Sequence, residues 1–375
     1  MKKQILILTE NVEGGEWIAT NRLTKAVTKL FPSIKFQYIS FGKDIKHSNP
    51  NFFLGFLISH IIDFKISKKT IEEKIKEFGE IDYVISTHYL LLLTSLFIKE
   101  LKTKRKIYYF LGLKSLPLNN FNNINHRNIF VKILEIFSIL LSDYIIVGSE
   151  YSKNYIRKII WPFSFFKKIY ILPNFVPDNF YTDIVKKENN NFVILYSGRI
   201  VCGKGLENLI KGFNIFYKKN KNAILIFCYP KSSINKHIFK ILKKSVDKFK
   251  LRNSIIFKTN LDTASLKKFY IFANLTILPS TFEMAPLSVI ESLACNTPVI
   301  GTKVGNVPEI LNKIDSRLIL KSNNCLDISE KLFWFFNLNN NEVKNIKKRG
   351  LQLSKEYSSH HSVKIFLDIL ELLEK

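Results

Sequence analysis

The sequence predicts an α/β protein with two doubly wound domains, each built on a parallel sheet. The chain has 375 residues, which is more than one hydrophobic core usually holds and fits roughly two domains. Hydrophobic residues make up 46% of the chain, so it is neither a disordered nor a fibrous protein. Short β-branched and aromatic runs recur with helical patterns between them, and this alternation is typical of βαβ units.

The predicted strands fall into two sets of six. The first set is expected at residues 5–8, 36–40, 83–86, 107–110, 144–147 and 169–172, and the second at 193–196, 224–227, 255–257, 275–278, 298–301 and 317–320. Prolines in residues 173–177 and polar residues in 186–191 predict a linker between the two sets. Apolar residues at helical spacing in 359–373 predict a packed amphipathic helix.

Composition narrows the class of function. The formal net charge is +26 and the basic excess is spread over both halves of the chain. Because no recognition helix, RNP motif or zinc-finger spacing accompanies this charge, phosphate ligands or an anionic surface are favoured over nucleic acid. A biased genome composition explains the charge equally well. The cysteines show no CxxC spacing, which indicates a reducing compartment and argues against a disulfide framework or a zinc site.

The pattern of apolar residues predicts a soluble or peripheral protein. The apolar run at residues 5–8 is too short for a signal peptide, and no stretch reaches the roughly 18 apolar residues of a spanning helix. Basic and aromatic residues mingle in 99–106 and 153–168, which favours contact with lipid headgroups. A helix packed on the sheet with a solvated basic edge is the alternative. We expect a cytoplasmic protein, with peripheral attachment to the inner face of the cell membrane as a further prediction.

Residues 278–310 combine a strand end, a Pro-Ser turn, a loop with Glu283 and a helix with Glu291. If both glutamates lay on one helix, their carboxylates would be about 80° and 12 Å apart. That separation is too large for a dyad acting on one bond, so the two would hold different ends of an elongated ligand. Pro286 suits the first helical position, where free N–H groups are available to an anion. Two solvated glutamates are the alternative.

Other candidates lie where predicted strands end, because ligands of such sheets bind beyond the carboxyl ends of the strands. Gly14 and Gly15 precede a predicted helix near Trp17 and permit close backbone approach to a ligand. His88 follows the third strand, although a structural histidine is as common there. An ordinary βα turn is the alternative for the glycine pair.

In the second set, the first strand runs into Gly198 and Arg199, and Lys204 follows just before a helix predicted from about Leu206. Gly198 allows a tight exit from the strand. The guanidinium of Arg199 and the ammonium of Lys204 would suit one diphosphate, in the field of the helix N-terminus. Chance proximity is the alternative in so basic a chain.

Several short motifs follow one another in a fixed order along the chain. They include Ser197-Gly198-Arg199, Lys204-Gly205, Pro279-Ser280, Glu283 with seven residues before Glu291, Thr297-Pro298 and Pro308-Glu309, with weaker matches at Gly14-Gly15, Thr87-His88 and Pro173-Asn174. This ordered set resembles the retaining GT-B-fold glycosyltransferases of family 4, within glycosyl transferases group 1. The specific part of the resemblance covers residues 192–311.

The resemblance implies a GT-B fold, in which two Rossmann-like domains face each other across a cleft and the C-terminal helix packs back toward the first domain. It implies an acceptor-binding domain over residues 1–175, joined by a helix over 359–375, and a domain over 176–358 that binds a nucleotide-diphosphate sugar. The implied co-substrate is a UDP- or GDP-sugar, with no other cofactor and no metal. The implied acceptor is a glycan or lipid-linked glycan of bacterial surface polysaccharide or lipopolysaccharide synthesis.

The resemblance also implies roles for the candidates. Its implied catalytic residues are Arg199 and Lys204 on the diphosphate, Glu283 on the donor sugar and His88 near the reaction centre. Its implied donor-binding and cleft residues are Glu291 on the ribose, Gly198 at the phosphates, the backbone of Ala285, Pro286, Leu287 and Ser288, and Gly14 and Gly15 on the acceptor side. Same-face attack would need no protein nucleophile.

Two departures from the family pattern bear on function. Met284 and Ala285 stand where the family often has glycine and an aromatic residue, and this motivates a catalytically silent GT-B binding module as the alternative function. Asn296 stands where glycine is usual, but asparagine tolerates left-handed backbone, so we expect the turn to persist. No charged ligand group is lost, so the sequence predicts an active enzyme.

Overall fold

The protein is described by a computed structural model over residues 3–10, 15–41, 53–112, 126–182, 191–231 and 234–374. The chain divides into two compact units. Unit 1 is Met1–Pro173 together with Val363–Lys375, and unit 2 is Asn174–Ser362.

Unit 1 contains six strands and the helices that connect them. The strands are β1 (Lys3–Glu10), β2 (Ile34–Phe41), β3 (Tyr83–Ser86), β4 (Arg105–Phe110), β5 (Tyr144–Val147) and β6 (Lys168–Ile171). The helices are α1 (Gly15–Leu30), α2 (Phe53–Ile75), α3 (Tyr89–Ser95), α4 (His126–Leu141) and α5 (Glu150–Ile159). All strand pairs are parallel, in the order β2-β1-β3-β4-β5-β6.

Unit 2 repeats this architecture. Its strands are β7 (Phe192–Ser197), β8 (Ala223–Tyr229), β9 (Ile255–Thr259), β10 (Leu275–Leu278), β11 (Val299–Thr302) and β12 (Ile319–Leu320). Its helices are α6 (Leu206–Lys219), α7 (Lys236–Lys248), α8 (Thr263–Phe272), α9 (Leu287–Ala294), α10 (Val307–Ile314), α11 (Cys325–Phe336) and α12 (Asn340–Ser354). The parallel order is β12-β11-β10-β7-β8-β9.

Helix α13 (Ser359–Glu374) ends the described chain, and its residues from Val363 belong to unit 1. The buried side chains Val363, Phe366 and Leu370 follow the helical spacing seen in the sequence. The Phe366 ring lies 6.3 Å from that of Phe36 in β2. This helix therefore completes the core of unit 1, although it follows unit 2 in the sequence.

The strand order places a switch point in each sheet. The order reverses between β1 and β3 in unit 1 and between β7 and β10 in unit 2. Central strands such as β3 and β10 are buried along their whole length, because helices cover both faces of a parallel sheet. Loops that leave two neighbouring strands in opposite directions open a crevice at the switch point, where ligands of such sheets bind.

The two sets of six parallel strands predicted from the sequence are confirmed, with differences at element ends. Ser316–Leu318 forms a 3-10 turn, so β12 is shorter than expected. Pro286 is the N-cap of α9, with extended backbone, and the helix begins at Leu287. The prediction that Pro286 is the first helical residue is therefore wrong by one position. Residues 183–190 of the expected linker lie outside the described residues.

Candidate functional site

The switch point of unit 2 brings together the loops that follow β7 and β10. The first loop carries Arg199 and Lys204, and the second carries Glu283. The backbone N–H and the hydroxyl of Thr281 donate to the Gly203 carbonyl at 2.8 and 3.0 Å, which joins the two loops directly. Residues that are far apart in sequence are thus fixed at one edge of the sheet.

Lys204 and Glu283 form the central ion pair of this edge. The Lys204 ammonium lies 2.5 Å from Oε1 of Glu283, and both side chains are largely buried. The Ser280 hydroxyl donates to the same oxygen at 2.8 Å. Among the described residues, nothing binds Oε2 of Glu283, so this oxygen can accept a hydrogen bond from a ligand hydroxyl.

A glycine permits the close approach of these loops. Gly205 has φ +66° and forms the N-cap of α6. A Cβ at this position would stand 2.0 Å from the Pro279 carbonyl oxygen, which no relaxed side chain tolerates. The glycine therefore lets the N-terminus of α6 lie directly against the end of β10. The first-turn N–H groups of α6 are favourable for an anion at this edge.

Arg199 lies in the same loop as Lys204, after the end of β7. Its side chain is exposed, and in the described ranges the guanidinium forms no ion pair. The Tyr196 hydroxyl donates to the Arg199 carbonyl at 2.8 Å and fixes the backbone. A Cβ on Gly198 would lie 2.9 Å from that hydroxyl, and φ +158° is also unfavourable for other residues. Gly198 and Tyr196 therefore set the position from which Arg199 extends.

Glu291 lies deeper, on α9. It is only 5% exposed, and the Tyr270 hydroxyl donates to its Oε2 at 2.9 Å. Ser197, at the end of β7, hydrogen bonds to Tyr270. Burial raises the pKa of Tyr270 well above its usual value, and the nearby charge of Glu291 adds to the effect. Tyr270 therefore remains a donor to the carboxylate at physiological pH and links α9 to the strand end.

Met284 and Ala285 follow Glu283 in the loop between β10 and α9. The Asn306 N–H donates to the Met284 carbonyl at 3.0 Å, and the Asn174 amide donates to the Ala285 carbonyl at 2.8 Å. Pro286 has no N–H and the Val289 N–H donates to the Pro286 carbonyl at 3.3 Å, so Leu287 and Ser288 can offer first-turn donors from α9. In the described ranges the Ala285 N–H makes no backbone hydrogen bond, so it is a further donor before the helix.

The switch point of unit 1 places His88 beside a residue that was not predicted. His88 Nε2 lies 2.9 Å from Oε1 of Glu10, the last residue of β1. The Leu90 N–H donates to Nδ1, so the ring proton resides on Nε2 and is donated to Glu10. His88 is 2% exposed, whereas the Glu10 side chain retains 19% exposure. Glu10 is therefore the carboxylate that this pair presents to solvent.

Sequence reasoning missed Glu10, Tyr270 and Ser280 as members of these sites. Glu10 was visible as the last residue of a strand at the switch point, but the strand order was needed to pair it with His88. Gly14 lies outside the described residues, and Gly15 is the first residue of α1. In the described part of the chain, no three His, Cys, Asp or Glu side chains cluster to hold a metal ion.

Comparison with known proteins relates unit 2 to the glycosyl transferases. Residues 179–352 match the family model for glycosyl transferases group 1. An uncharacterized glycosyltransferase of Methanocaldococcus jannaschii is 26% identical over 181 residues, which cover 45% of this chain and 50% of that protein. The chain spans about half, or less, of the length of the first curated relatives it matches. The match supports the predicted resemblance at the level of glycosyl transferases group 1.

Solved structures show the fold of the whole chain. A sucrose-phosphate synthase from Thermosynechococcus elongatus matches with a TM-score of 0.80 and 14% identity over 99% of both chains. Anabaena HepE in complex with UDP and glucose matches with a TM-score of 0.71 and 13% identity over 100% of both chains. The predicted GT-B class, with two six-stranded parallel sheets and flanking helices, is confirmed.

Proposed function

We propose that the protein is a retaining glycosyltransferase of family 4 that transfers a sugar from a nucleotide-diphosphate sugar to a glycan or lipid-linked acceptor. The observation that carries the proposal is the Lys204–Glu283 pair, with Arg199 in the same loop as Lys204, at the switch point of a unit that matches glycosyl transferases group 1. Bacterial surface polysaccharide or lipopolysaccharide synthesis in the cytoplasm is the proposed setting. Unit 2 is the proposed donor domain and unit 1 the proposed acceptor domain.

The cations would bind the diphosphate. The exposed Arg199 can form a bidentate contact, and Lys204 adds a point charge while remaining beside Glu283. Cationic side chains beside the departing diphosphate stabilise the transition state more than the ground state, because negative charge develops on the leaving oxygen. In this proposal, the two cations and the N–H groups of α6 supply the charge that a metal supplies elsewhere, so transfer is metal-independent.

The carboxylates of Glu283 and Glu291 would bind opposite ends of the donor. Glu283 would accept a sugar hydroxyl through Oε2, and Glu291 would bind the ribose while Tyr270 holds its carboxylate in place. Backbone N–H groups of Ala285, Leu287 and Ser288 would assist. The complex of Anabaena HepE with UDP supports a uridine nucleotide over a guanosine nucleotide as the first donor to try.

On unit 1, the His88–Glu10 pair would line the acceptor side of the reaction, with Gly14 and Gly15 nearby in sequence. The His88 ring proton is already donated to Glu10, so His88 acts by orienting Glu10 rather than as a proton donor to the sugar. In this proposal, the acceptor attacks on the face from which the diphosphate departs, so configuration is retained and the departing phosphate takes the acceptor proton. No protein nucleophile is required.

A catalytically silent binding module is the second candidate. Met284 and Ala285, where the family often has a glycine and an aromatic residue, favour it. Both functions need donor binding, but only the first needs turnover. An active transferase would release free nucleotide diphosphate in the presence of acceptor, whereas a silent module would bind the donor without releasing it.

A donor panel tests the proposal. We expect a UDP- or GDP-sugar to raise the melting temperature and to be hydrolysed or transferred slowly, because a ligand stabilises the state that binds it. Arg199→Ala and Lys204→Ala should each reduce transfer by about 100-fold or more. Lys211→Ala is the matched control, since Lys211 lies on the exposed face of α6 and pairs with Glu207. Absence of binding to every donor, or variants that behave like Lys211→Ala, would overturn the proposal.

A further inference from the structure

Between residues 58 and 67, helix α2 of unit 1 turns polar side chains inward and isoleucines outward, whereas its later turns bury Ile71 and Ile75. Its buried polar residues are Ser59, His60, Asp63 and Ser67, whereas its outward isoleucines are 43 to 49% exposed, at Ile58, Ile61, Ile62 and Ile66. A surface helix of a globular protein normally shows the opposite arrangement. The outward face of α2 is therefore suited to an apolar environment.

Helix α4 shows the same inversion and packs beside α2. Lys132, Glu135 and Ser138 are buried, while a stripe at every fourth position is 42 to 51% exposed, at Ile129, Ile133, Phe137 and Leu141. Phe97 is 63% exposed and contacts Phe64 of α2 at 5.4 Å between ring centroids. We call the outward isoleucines of α2, the stripe of α4 and Phe97 the apolar face. Contiguous exposed apolar surface of this kind marks an interaction site.

Hydrogen bonds fix the rotation of both helices. His60 Nε2 lies 3.1 Å from the Tyr89 hydroxyl, and the Ser138 hydroxyl donates to the Tyr89 carbonyl at 3.0 Å. The Lys132 ammonium donates to the Tyr155 hydroxyl at 3.3 Å. Turning either helix to hide its apolar side chains would break these buried contacts. The apolar face is therefore a consequence of a fixed polar interior.

A basic pocket adjoins the apolar face. Leu141, the last residue of the α4 stripe, lines a cavity of about 310 Å³ together with Lys102, Lys104 and Arg105. Asp143 also lines it, but its carboxylate accepts the Lys106 N–H at 2.7 Å. Lys104 lies 3.2 Å from Glu80, whose side chain is 86% exposed. The pocket keeps a net positive charge and has the size and polarity for a phosphate group.

An aromatic loop extends the same surface. Trp161, Phe163, Phe165 and Phe166 are 55 to 85% exposed, after the end of α5. The Lys167 ammonium donates to the Ser142 carbonyl at 2.6 Å, which ties this loop to the end of α4. Exposed Arg157, Lys158 and Lys168 flank the aromatic residues. Aromatic rings with flanking cations are typical of a membrane-water interface.

We propose that the apolar face, the basic pocket and the aromatic loop form a docking surface for an anionic lipid bilayer, with a lipid phosphate in the basic pocket. Charge complementarity favours this occupant, since the chain carries +26 and pocket and loop add local positive charge. In the described ranges, no helix is long and apolar enough to cross a bilayer, so contact is by the surface. This inference rests on the proposed function in one respect, since a lipid-linked acceptor would bring the enzyme to a bilayer.

The direction of α4 connects docking to the sugar-transfer site. Because α4 joins parallel β4 and β5, it runs from the carboxyl edge of the sheet to the amino edge, where the basic pocket lies. His88 and Glu10 lie at the carboxyl edge, where α4 begins. A bilayer against the α4 stripe would thus extend from the acceptor side of unit 1 to the pocket, over a distance of about 20 Å.

Flotation with defined vesicles tests the inference on the full chain. We expect binding to vesicles of phosphatidylcholine with about 30% phosphatidylglycerol at low salt, weakened by 0.5 M NaCl. Binding should fall at least tenfold in Ile133→Gln/Phe137→Gln and about 25-fold in Lys102→Gln/Lys104→Gln, at about fivefold for each lysine. Leu326→Gln and Lys240→Gln/Lys244→Gln are the matched controls on exposed helical positions of unit 2, and they should bind as the parent does.

Competition and size measurements distinguish the other occupants. Inorganic phosphate at 10 mM should leave vesicle binding unchanged; a pocket that takes only free phosphate would show phosphate binding without flotation. A parent dimer that Ile133→Gln/Phe137→Gln converts to a monomer, again without flotation, would identify the face as an interface between copies. Either result overturns the inference. UDP-induced stabilisation is measured on the same variants, so loss of vesicle binding is separated from failure of the proposed sugar transfer.

Discussion

At the residue scale, single side chains decide which backbone conformations the turns of unit 2 can adopt. Asn296 has φ +57°, which confirms the expectation that asparagine would preserve a left-handed turn where the family usually has glycine. Asn306, the N-cap of α10, has φ −85° and needs no such tolerance. Whether an asparagine can be accommodated at such a position therefore depends on the backbone conformation that the position requires.

The hydroxyl of Tyr270 is predicted to position Glu291. Tyr270→Phe leaves a buried carboxylate with one partner fewer, so we expect a loss of about 1–3 kcal/mol in the free energy of unfolding of unit 2 and weaker donor binding. Urea unfolding and donor thermal shift measure the two effects. Tyr217→Phe is the control, because in the described ranges its hydroxyl makes no hydrogen bond. Equal behaviour of the two variants would contradict the positioning role.

Cysteine reactivity should follow burial. Burial raises the pKa of Cys228 and of Cys295 to about 12, so their thiolates are scarce at neutral pH. Cys202 is exposed. We expect iodoacetamide at pH 8 to modify Cys202 in the native protein and to reach Cys228 and Cys295 only after unfolding. Peptide mass spectrometry identifies the modified cysteines. Modification of Cys295 before unfolding would show that α9 opens in the native state.

At the element scale, the start of α6 depends on one glycine. The N-terminus of α6 lies against the end of β10 because Gly205 has no Cβ. This close approach brings Lys204 to Glu283. The elements themselves follow from local sequence, but their distance is set by this contact.

Gly205→Ala is predicted to separate α6 from β10. The left-handed backbone alone costs about 1–3 kcal/mol, and the contact with the Pro279 carbonyl adds to the loss of unfolding free energy. Donor binding should weaken as Lys204 shifts. Gly112→Ala in unit 1 is the control, since among the described residues a Cβ there meets only the end of the Glu16 side chain, at 3.5 Å. An unchanged melting temperature for Gly205→Ala would be inconsistent with the close packing.

At the scale of the whole molecule, the two units are not consecutive in sequence. Residues 363–375 return to unit 1 after unit 2 is complete. Lys3 and Glu374 form an ion pair at 2.5 Å, and Phe366 is fully buried. The stability of unit 1 therefore depends on residues that follow unit 2 in the sequence.

Phe366→Ala is predicted to lower the stability of unit 1 by about 3–5 kcal/mol, the range for a buried phenylalanine. Fluorescence in a Trp334→Phe background reports unit 1 alone, because Trp17 and Trp161 both belong to it. Leu372→Ala on the same helix is the control, since Leu372 is 48% exposed. An unfolding midpoint of unit 1 that Phe366→Ala leaves unchanged would contradict the packing of α13 in its core.

The sequence by itself determined the two sets of six strands, the helix at 359–373 and the loops that carry Arg199, Lys204, Glu283 and His88. These features are local, because periodicity and turn residues act over a few positions. The GT-B class also followed from the sequence, through the ordered motifs of residues 192–311.

The tertiary structure alone decided which loops meet. Glu10 joins His88, and Tyr270 joins Glu291, because the strand order brings together residues that are far apart in sequence. It also decided which faces of α2 and α4 are exposed, because the contacts of His60 and Ser138 with Tyr89 and of Lys132 with Tyr155 direct polar side chains inward. Pairings and orientations of this kind depend on long-range contacts, which local sequence patterns do not encode.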